Sequence, residues 1–258
     1  MRFRPCIDIH NGSVKQIVGG SLQDTGNRAD ENFVSAKPAS YYAEMYARDG
    51  LTGGHVILLN KQDSPYYDET LRQGLEALAA YPGGLQIGGG INPKNAPLFL
   101  EGGASHVIVT SYLFKDGELS VDRLFRLADA VGKDRIVIDL SCRKSEAGYV
   151  VVTDRWQHFT SLAVTPELLG TLEPFCAEYL IHGVDAEGLR SGMEEELVAM
   201  LAEYDGLPVT YAGGIHSMKA IERFREVGRG RLDYTVGSAL DLFGGKLSYS
   251  ELAKLDRE

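Results

Sequence analysis

No stretch of this sequence reaches the ~18–20 consecutive apolar residues of a transmembrane helix, and the opening MRFRPCIDIHNGS lacks the apolar core of a signal peptide. A cytoplasmic protein is expected, with no membrane partner. Cysteine is scarce: Cys6, Cys142 and Cys176 are odd in number and far apart with no CxxC, which excludes a disulfide framework and a cysteine zinc site. The six histidines show no HxxxH or HxH spacing beside an acid, so no metal is expected. Positive charge is short as well. With 26 Lys and Arg against 36 Asp and Glu, the net charge of −10 argues against nucleic acid as a partner, and any phosphate must be gripped locally. Nucleotide motifs fail too: Gly88 and Gly90 are not followed by glycine at 93, and GGKLS puts Leu247 where a P-loop needs Ser or Thr. No proline-rich or low-complexity linker interrupts the chain, so residues 1–258 are read as one domain.

What the chain does have is alternation. Short β-branched runs at 3–8, 54–59, 84–88, 105–110, 135–140, 178–182, 208–212 and 232–236 read as strands, separated by helical patterns. Pro38, Pro93 and Pro166 suit first-turn positions, and Asp68, Asn92, Ser120, Thr165 and Ser217 suit caps. The spacings Leu71/Leu75/Leu78, Leu124/Leu127 and Ile221/Phe224 mark core-facing stripes. Eight βα units in 258 residues predict a (β/α)₈ barrel. An open doubly wound sheet is the alternative that periodicity leaves standing. Two stretches read as irregular, 19–32 and 141–158; both follow strands, and the first has the polar, glycine-containing composition of a lid or a plain solvated loop.

The two halves repeat. Asp8 in CIDIH is matched by Asp139 in VIDLS, 131 positions on; Gly89-Gly90-Ile91 by Gly213-Gly214-Ile215, 124 on; and Ser111 in VIVTSYLF by Ser238 in YTVGSALDLF, 127 on. Such clustered offsets predict two duplicated (βα)₄ half-barrels, roughly 1–130 and 131–258. Strands one and five then face each other across the barrel, with the three/four and seven/eight pairs on either side. Glycine lets backbone N–H groups approach an anion without a Cβ in the way. Gly88, Gly89, Gly90, Thr110 and Ser111 are therefore expected to form one phosphate cup, and Gly213, Gly214, Gly237 and Ser238 a second.

Between the cups, Asp8 and Asp139 each close an apolar strand, where an idle carboxylate would be costly to desolvate. Two opposed carboxylates at a barrel mouth suit a general base and a general acid. Trp156 in the strand-five loop is placed as a stacking residue or a buried anchor, and His182 closes strand six facing the site. Cys6 is read as a packed thiol, and Asn11-Gly12-Ser13 as a formal glycosylation sequence without meaning here.

With CIDIHNGSVKQIVGG, QIGGGI, VIVTSYLF, IVIDLSCR, VTYAGGI and VGSALD together, the chain resembles the ProFAR isomerases of histidine biosynthesis over nearly its whole length. HNGSVKQIVGG, DRIVIDLSCRK and LIHGVDAEGL look like the branch found in fungi and other eukaryotes. The resemblance implies the fourth step of that pathway, an Amadori rearrangement of an aminoaldose into its phosphoribulosyl aminoketose. It also implies that no cofactor, metal or obligate protein partner takes part, and a monomer acting on a small substrate with a phosphate at each end. By resemblance, Asp8 is the base that takes the C2′ proton and Asp139 the acid that protonates the ribose ring oxygen.

Two departures stand out from the bacterial pattern. After strand two that pattern carries an Asp, whereas this chain reads VILLNKQ with Asn60 as the nearest polar group. After strand six it has Thr-Asp, where this chain has His182-Gly183 with Asp185 two places on; His182 and Asp185 are offered as substitutes, and with Arg143 and Trp156 they are the further candidate substrate contacts. Three alternatives are weighed. The cyclase subunit of the same pathway also uses two opposed aspartates in a duplicated barrel, but the wording after Asp8 suits the isomerase. A non-catalytic phosphosugar-binding barrel sits poorly with two retained aspartates. A phosphoribosylanthranilate isomerase would have cysteine at the base position, which is Asp8 here.

Overall fold

The computed structural model describes residues 1–17, 21, 29–146, 148–153, 156, 158–186 and 192–256. Eight strands run parallel in chain order: β1 Cys6–His10, β2 Gly54–Leu58, β3 Leu85–Gly88, β4 Val107–Val109, β5 Ile136–Asp139, β6 Glu178–His182, β7 Val209–Ala212 and β8 Asp233–Tyr234. Each pairs with the next, through registers such as Asp8↔Ile57, Ile57↔Gly88 and Leu180↔Asp139. The sheet then closes on itself. Phe3 bridges Tyr234, Arg4 N donates to Tyr234 O at 2.8 Å and Tyr234 N donates to Arg2 O at 3.0 Å. That seam excludes the open doubly wound alternative, and the chain is a (β/α)₈ barrel.

A helix follows every strand: α1 Ala39–Asp49, α2 Tyr67–Ala80, α3 Ala96–Glu101, α4 Val121–Val131, α5 Pro166–Leu172, α6 Glu195–Leu201, α7 Met218–Val227 and α8 Tyr249–Leu255. Local chemistry sets their ends. Thr165 accepts from Leu168 N and Ser217 from Ala220 N, both at 3.2 Å, and Pro166 fills the first turn of α5, where no N–H is needed. α3 begins later than Pro93 suggests, because Asn92 Oδ1 accepts from Lys94 N at 2.9 Å and spends residues 92–95 on a turn.

Strand alternation separates two cores. Ile7, Ile9, Val56, Ile87 and Val109 point outward into the large cluster under the helices. Ile57, Ile108, Val137, Leu180 and Ala212 point inward and form their own plug. Below this plug lies a polar floor. Arg4, 4 % exposed, donates from Nε to Asp233 Oδ2 at 2.9 Å, and its Nη2 lies 2.8 Å from Asp233 Oδ2 and 3.7 Å from Glu178 Oε2. Gln86 Nε2 and Thr210 Oγ1 each donate to Glu178 at 3.1 Å. Burial is the main reason the Glu178 carboxyl is pushed above its ordinary range, with Arg4 pulling the other way.

Two expectations need correcting. Asp8 does not end its strand: β1 continues to His10 and turns through Asn11 (φ 50°) and Gly12 (φ 73°) into an antiparallel strand, Ser13–Ile17, which pairs in turn with Glu31–Val34. Asn-Gly between two strands is the signature of a tight hairpin, so 11–12 carries structural meaning after all. The stretch 141–158 is largely ordered too, entering a three-stranded sheet of Cys142–Ser145, Gly148–Thr153 and His158–Ala163. Its β-branched core Val150, Val151 and Val152 is buried, with Val151 facing Cys142. Most of the expected lid, 19–32, lies outside the described residues. Among those described, no helix is long and apolar enough to cross a membrane.

Candidate active site

A cavity of about 520 Å³ opens at the C-terminal ends of the strands, the end where such barrels carry their sites. Its lining brings together Asp8, Gly88, Gly89, Gly90, Thr110, Ser111, Asp139, Trp156, His182, Gly213, Gly214, Gly237 and Ser238. Arg143 and Asp185 do not line it. Arg143 Nε donates to Asp185 Oδ1 at 2.7 Å and Lys144 N to Asp185 Oδ2 at 3.2 Å, so these two expected contacts are engaged with each other rather than with the cavity.

Asp8 and Asp139 stand on β1 and β5, four strands apart in either direction around the ring. Asp8 Oδ2 accepts from Gln16 Nε2 at 3.2 Å. Asp139 accepts from Thr110 Oγ1 at 2.9 Å and from Ser141 Oγ at 3.1 Å, and His182 Nδ1 lies 3.6 Å from its Oδ1. The Thr110 hydroxyl, expected at a phosphate, is therefore directed at the carboxylate. The Trp156 and His182 rings lie 6.4 Å apart between centroids, tilted by 42°. Asn60 holds the β1 turn: its Oδ1 accepts from Asn11 N and Thr70 Oγ1, and its Nδ2 donates to Asn11 Oδ1, each at 2.8 Å.

The glycine turns after β3 and β7 repeat one backbone shape. Gly89 and Gly90 have φ of 108° and 65°, Gly213 and Gly214 of 131° and 70°. A Cβ on Gly89 would collide with Leu58 O, at the end of β2, and one on Gly213 would come within 2.7 Å of Gly183 O, just after β6; each carbonyl lies one place beyond the last register pair with the glycine's strand, Ile57↔Gly88 and His182↔Ala212. Side chains tie the second glycine's carbonyl in both turns: Asn95 Nδ2 donates to Gly90 O at 3.0 Å, and His216 Nδ1 lies 2.9 Å from Gly214 O. A Cβ on Gly90 would meet nothing within 4 Å. Gly90→Ala is thus expected to cost about 1–2 kcal/mol of backbone strain, whereas Gly89→Ala must move Leu58 or the turn itself. Urea melts and KM for a bisphosphorylated substrate will separate them: Gly89→Ala should be much the worse on both, and equal effects would refute the steric account.

Sequence reasoning missed His55, Ser141 and Thr235, which line the cavity, and Gln16, which bonds to Asp8 from behind it; the parity that places Cys6 and Asp8 inside also places His55 and Ile57 there. His55, buried beneath the cavity, is pushed down from the ordinary histidine value to about 3 by desolvation, with His182 adding to the effect and Asp139 opposing it. Its folded value lies below its unfolded value. Stability is therefore undiminished above about pH 6.5 and is lost as pH falls toward 3, by up to about 1.4 kcal/mol per pH unit. Urea midpoints from pH 7 to 4 should show this slope in the wild type and lose it in His55→Gln; an unchanged slope would place the acid sensitivity elsewhere.

A closed barrel whose halves repeat both a glycine turn and an aspartate strand belongs to the duplicated (β/α)₈ class. More narrowly, the chain belongs to the histidine biosynthesis protein family, whose model matches residues 2–248. It is 51% identical over 256 residues to a chloroplastic protein of Medicago truncatula, a match covering 98% of this chain and 80% of the relative. A Neurospora crassa relative is 45% identical over 248 residues (95% and 94% covered), and one from Saccharomyces cerevisiae 46% over 255 (95% and 94%). All three bear the name 1-(5-phosphoribosyl)-5-((5-phosphoribosylamino)methylideneamino)imidazole-4-carboxamide isomerase.

Proposed function

We propose that this chain catalyses the Amadori rearrangement of ProFAR, the aminoaldose named in those relatives, to its phosphoribulosyl isomer in histidine biosynthesis. The observation that carries the reading is the placement of Asp8 and Asp139 on opposite strands of one cavity, between two glycine turns of the same shape. In the proposed reaction Asp139 gives a proton to the ribose ring oxygen, and the C1′–O bond opens to a Schiff base. Asp8 then removes the C2′ proton, leaving an enolamine that tautomerises to the ketose. Gly88, Gly89, Gly90 and Ser111 hold one phosphate through backbone and hydroxyl donors; Gly213, Gly214, Gly237 and Ser238 hold the other. Trp156 stacks on the imidazole ring and His182 faces the opening ribose. No step calls for a cofactor, and we take the working form to be a monomer in the cytoplasm.

The test is a spectroscopic assay offering ProFAR and its ketose isomer in turn. Conversion of ProFAR supports the isomerase. Imidazole formation from the ketose with ammonia would mark a cyclase instead, and binding without either reaction a phosphosugar-binding barrel.

A further inference from the structure

Gln16 is 4 % exposed and reaches back from the hairpin strand that follows β1 to the side chains of Cys6 and Asp8. Its Nε2 donates to Asp8 Oδ2 at 3.2 Å and approaches Cys6 Sγ at 3.8 Å. Its Oε1 fills the space that a Cβ would need on Gly237. One planar amide therefore touches both the carboxylate assigned to proton abstraction and the glycine turn after β8. The amide cannot be turned over, because its oxygen would then face the Asp8 carboxylate and no donor would.

We propose that Gln16 is a positioning residue: it fixes the plane of the Asp8 carboxylate and links that carboxylate to the Gly237–Ser238 turn. The inference rests on the isomerase reading above. An aspartate's terminal torsion is broad and roughly twofold, so each hydrogen bond to the carboxylate narrows the planes it samples around the one that meets the proton it must take. The Gln16 bond to Oδ2 is one such restraint. Because Gly237 has no side chain, Gln16 packs directly on the turn's backbone, and a shift of the turn on gripping phosphate is passed through the amide to Asp8. The hairpin that presents Gln16 is itself held by Asn60 through Asn11.

An amide N–H also favours the ionised carboxylate, so its loss makes Asp8 take a proton at higher pH. Among the described residues, the other titratable groups around Asp8 are Cys6 and His10 on its own strand and His55 on β2, whose register partner is Cys6. Tyr46 of α1 donates to Cys6 O at 3.1 Å, and Asp139 and His182 face Asp8 across the cavity. The variants below leave all of them in place.

The experiment is the pH profile of kcat/KM with ProFAR for the wild type, Gln16→Met, which keeps the length without the donor, and Gln16→Glu, which sets a second carboxylate beside Asp8. In Gln16→Met the acid limb should move up by about one pH unit, with kcat down about tenfold or more and KM within about threefold. In Gln16→Glu the limb should move further, because two carboxylates then share one site. An acid limb that stays in place in both variants overturns the proposal, whether or not kcat falls, since a fall without a moved limb is a packing defect. A wild type that fails to convert ProFAR counts against the isomerase reading alone. Carbon-13 NMR titration of the Asp8 carboxyl in the wild type and Gln16→Met then decides the inference: a higher midpoint in the variant supports it, and an equal midpoint refutes it.

Discussion

Asp8→Asn and Asp139→Asn are each expected to lower kcat with ProFAR by about 10²–10⁴-fold, the usual weight of a positioned acid or base, while the fold persists. Asparagine keeps the size of the side chain and its capacity to accept from Gln16, or from Thr110 and Ser141. The loss should therefore fall on kcat, with KM little changed and the urea midpoint within about 1 kcal/mol of the wild type. The two variants should differ in kind. Without Asp139 the ring is not opened, so no exchange of the C2′ proton with solvent follows. Without Asp8 ring opening proceeds but the C2′ hydrogen stays. Either variant retaining more than a tenth of wild-type turnover would remove that residue from the mechanism.

Arg4→Met should have the largest effect on stability. It strips the guanidinium from two buried carboxylates, Asp233 and Glu178, and leaves both in the barrel floor. Breaking a buried ion network from one side costs about 3–5 kcal/mol, a large share of the ~5–15 kcal/mol that holds a domain together, and corresponds to a Tm lower by about 10 °C. Asp233 also accepts from Arg2 N at 2.7 Å at the closing seam, so the barrel should open there first. The sign of the pH effect follows from Glu178, whose carboxyl sits above its ordinary range when folded and rises further without Arg4. Near pH 4 it is largely protonated in both folded and unfolded chains. As pH climbs beyond the unfolded value the folded form keeps a proton that the unfolded form has given up, so the penalty of Arg4→Met grows toward neutrality. Arg4→Met combined with Glu178→Gln should recover part of the loss. A single variant within about 1 kcal/mol of the wild type at pH 7 would contradict the role given to the floor.

The strands were legible because each is a compact β-branched run between turn residues, and the repeat because a backbone that must adopt positive φ against a carbonyl leaves glycine at both copies. Asp8 and Asp139 stood out as charges set into apolar runs. What escaped has no local signature. Nothing around Arg4 tells it from an exposed arginine; its burial depends on β8 arriving beside β1 from the far end of the chain. The pairing of Arg143 with Asp185 depends likewise on β5 and β6 lying side by side. Asn11-Gly12 carries a hairpin signal in its own right, beside a glycosylation sequence that has no meaning here, and Gln16 takes its place from that hairpin. In YVVVT the alternation is masked by consecutive valines, all of them buried. The direction of the Thr110 hydroxyl was never in the sequence, since a threonine beside a phosphate turn and one beside a carboxylate read alike.

The most direct measurement of the central claim is a crystal structure with the ketose product bound. The account predicts one phosphate against the amides of Gly89, Gly90 and Ser111 and the other against Gly213, Gly214 and Ser238, with the open sugar chain between Asp8 and Asp139. A product bound with either phosphate away from these turns, or with its C2′ carbon out of reach of Asp8, would contradict it.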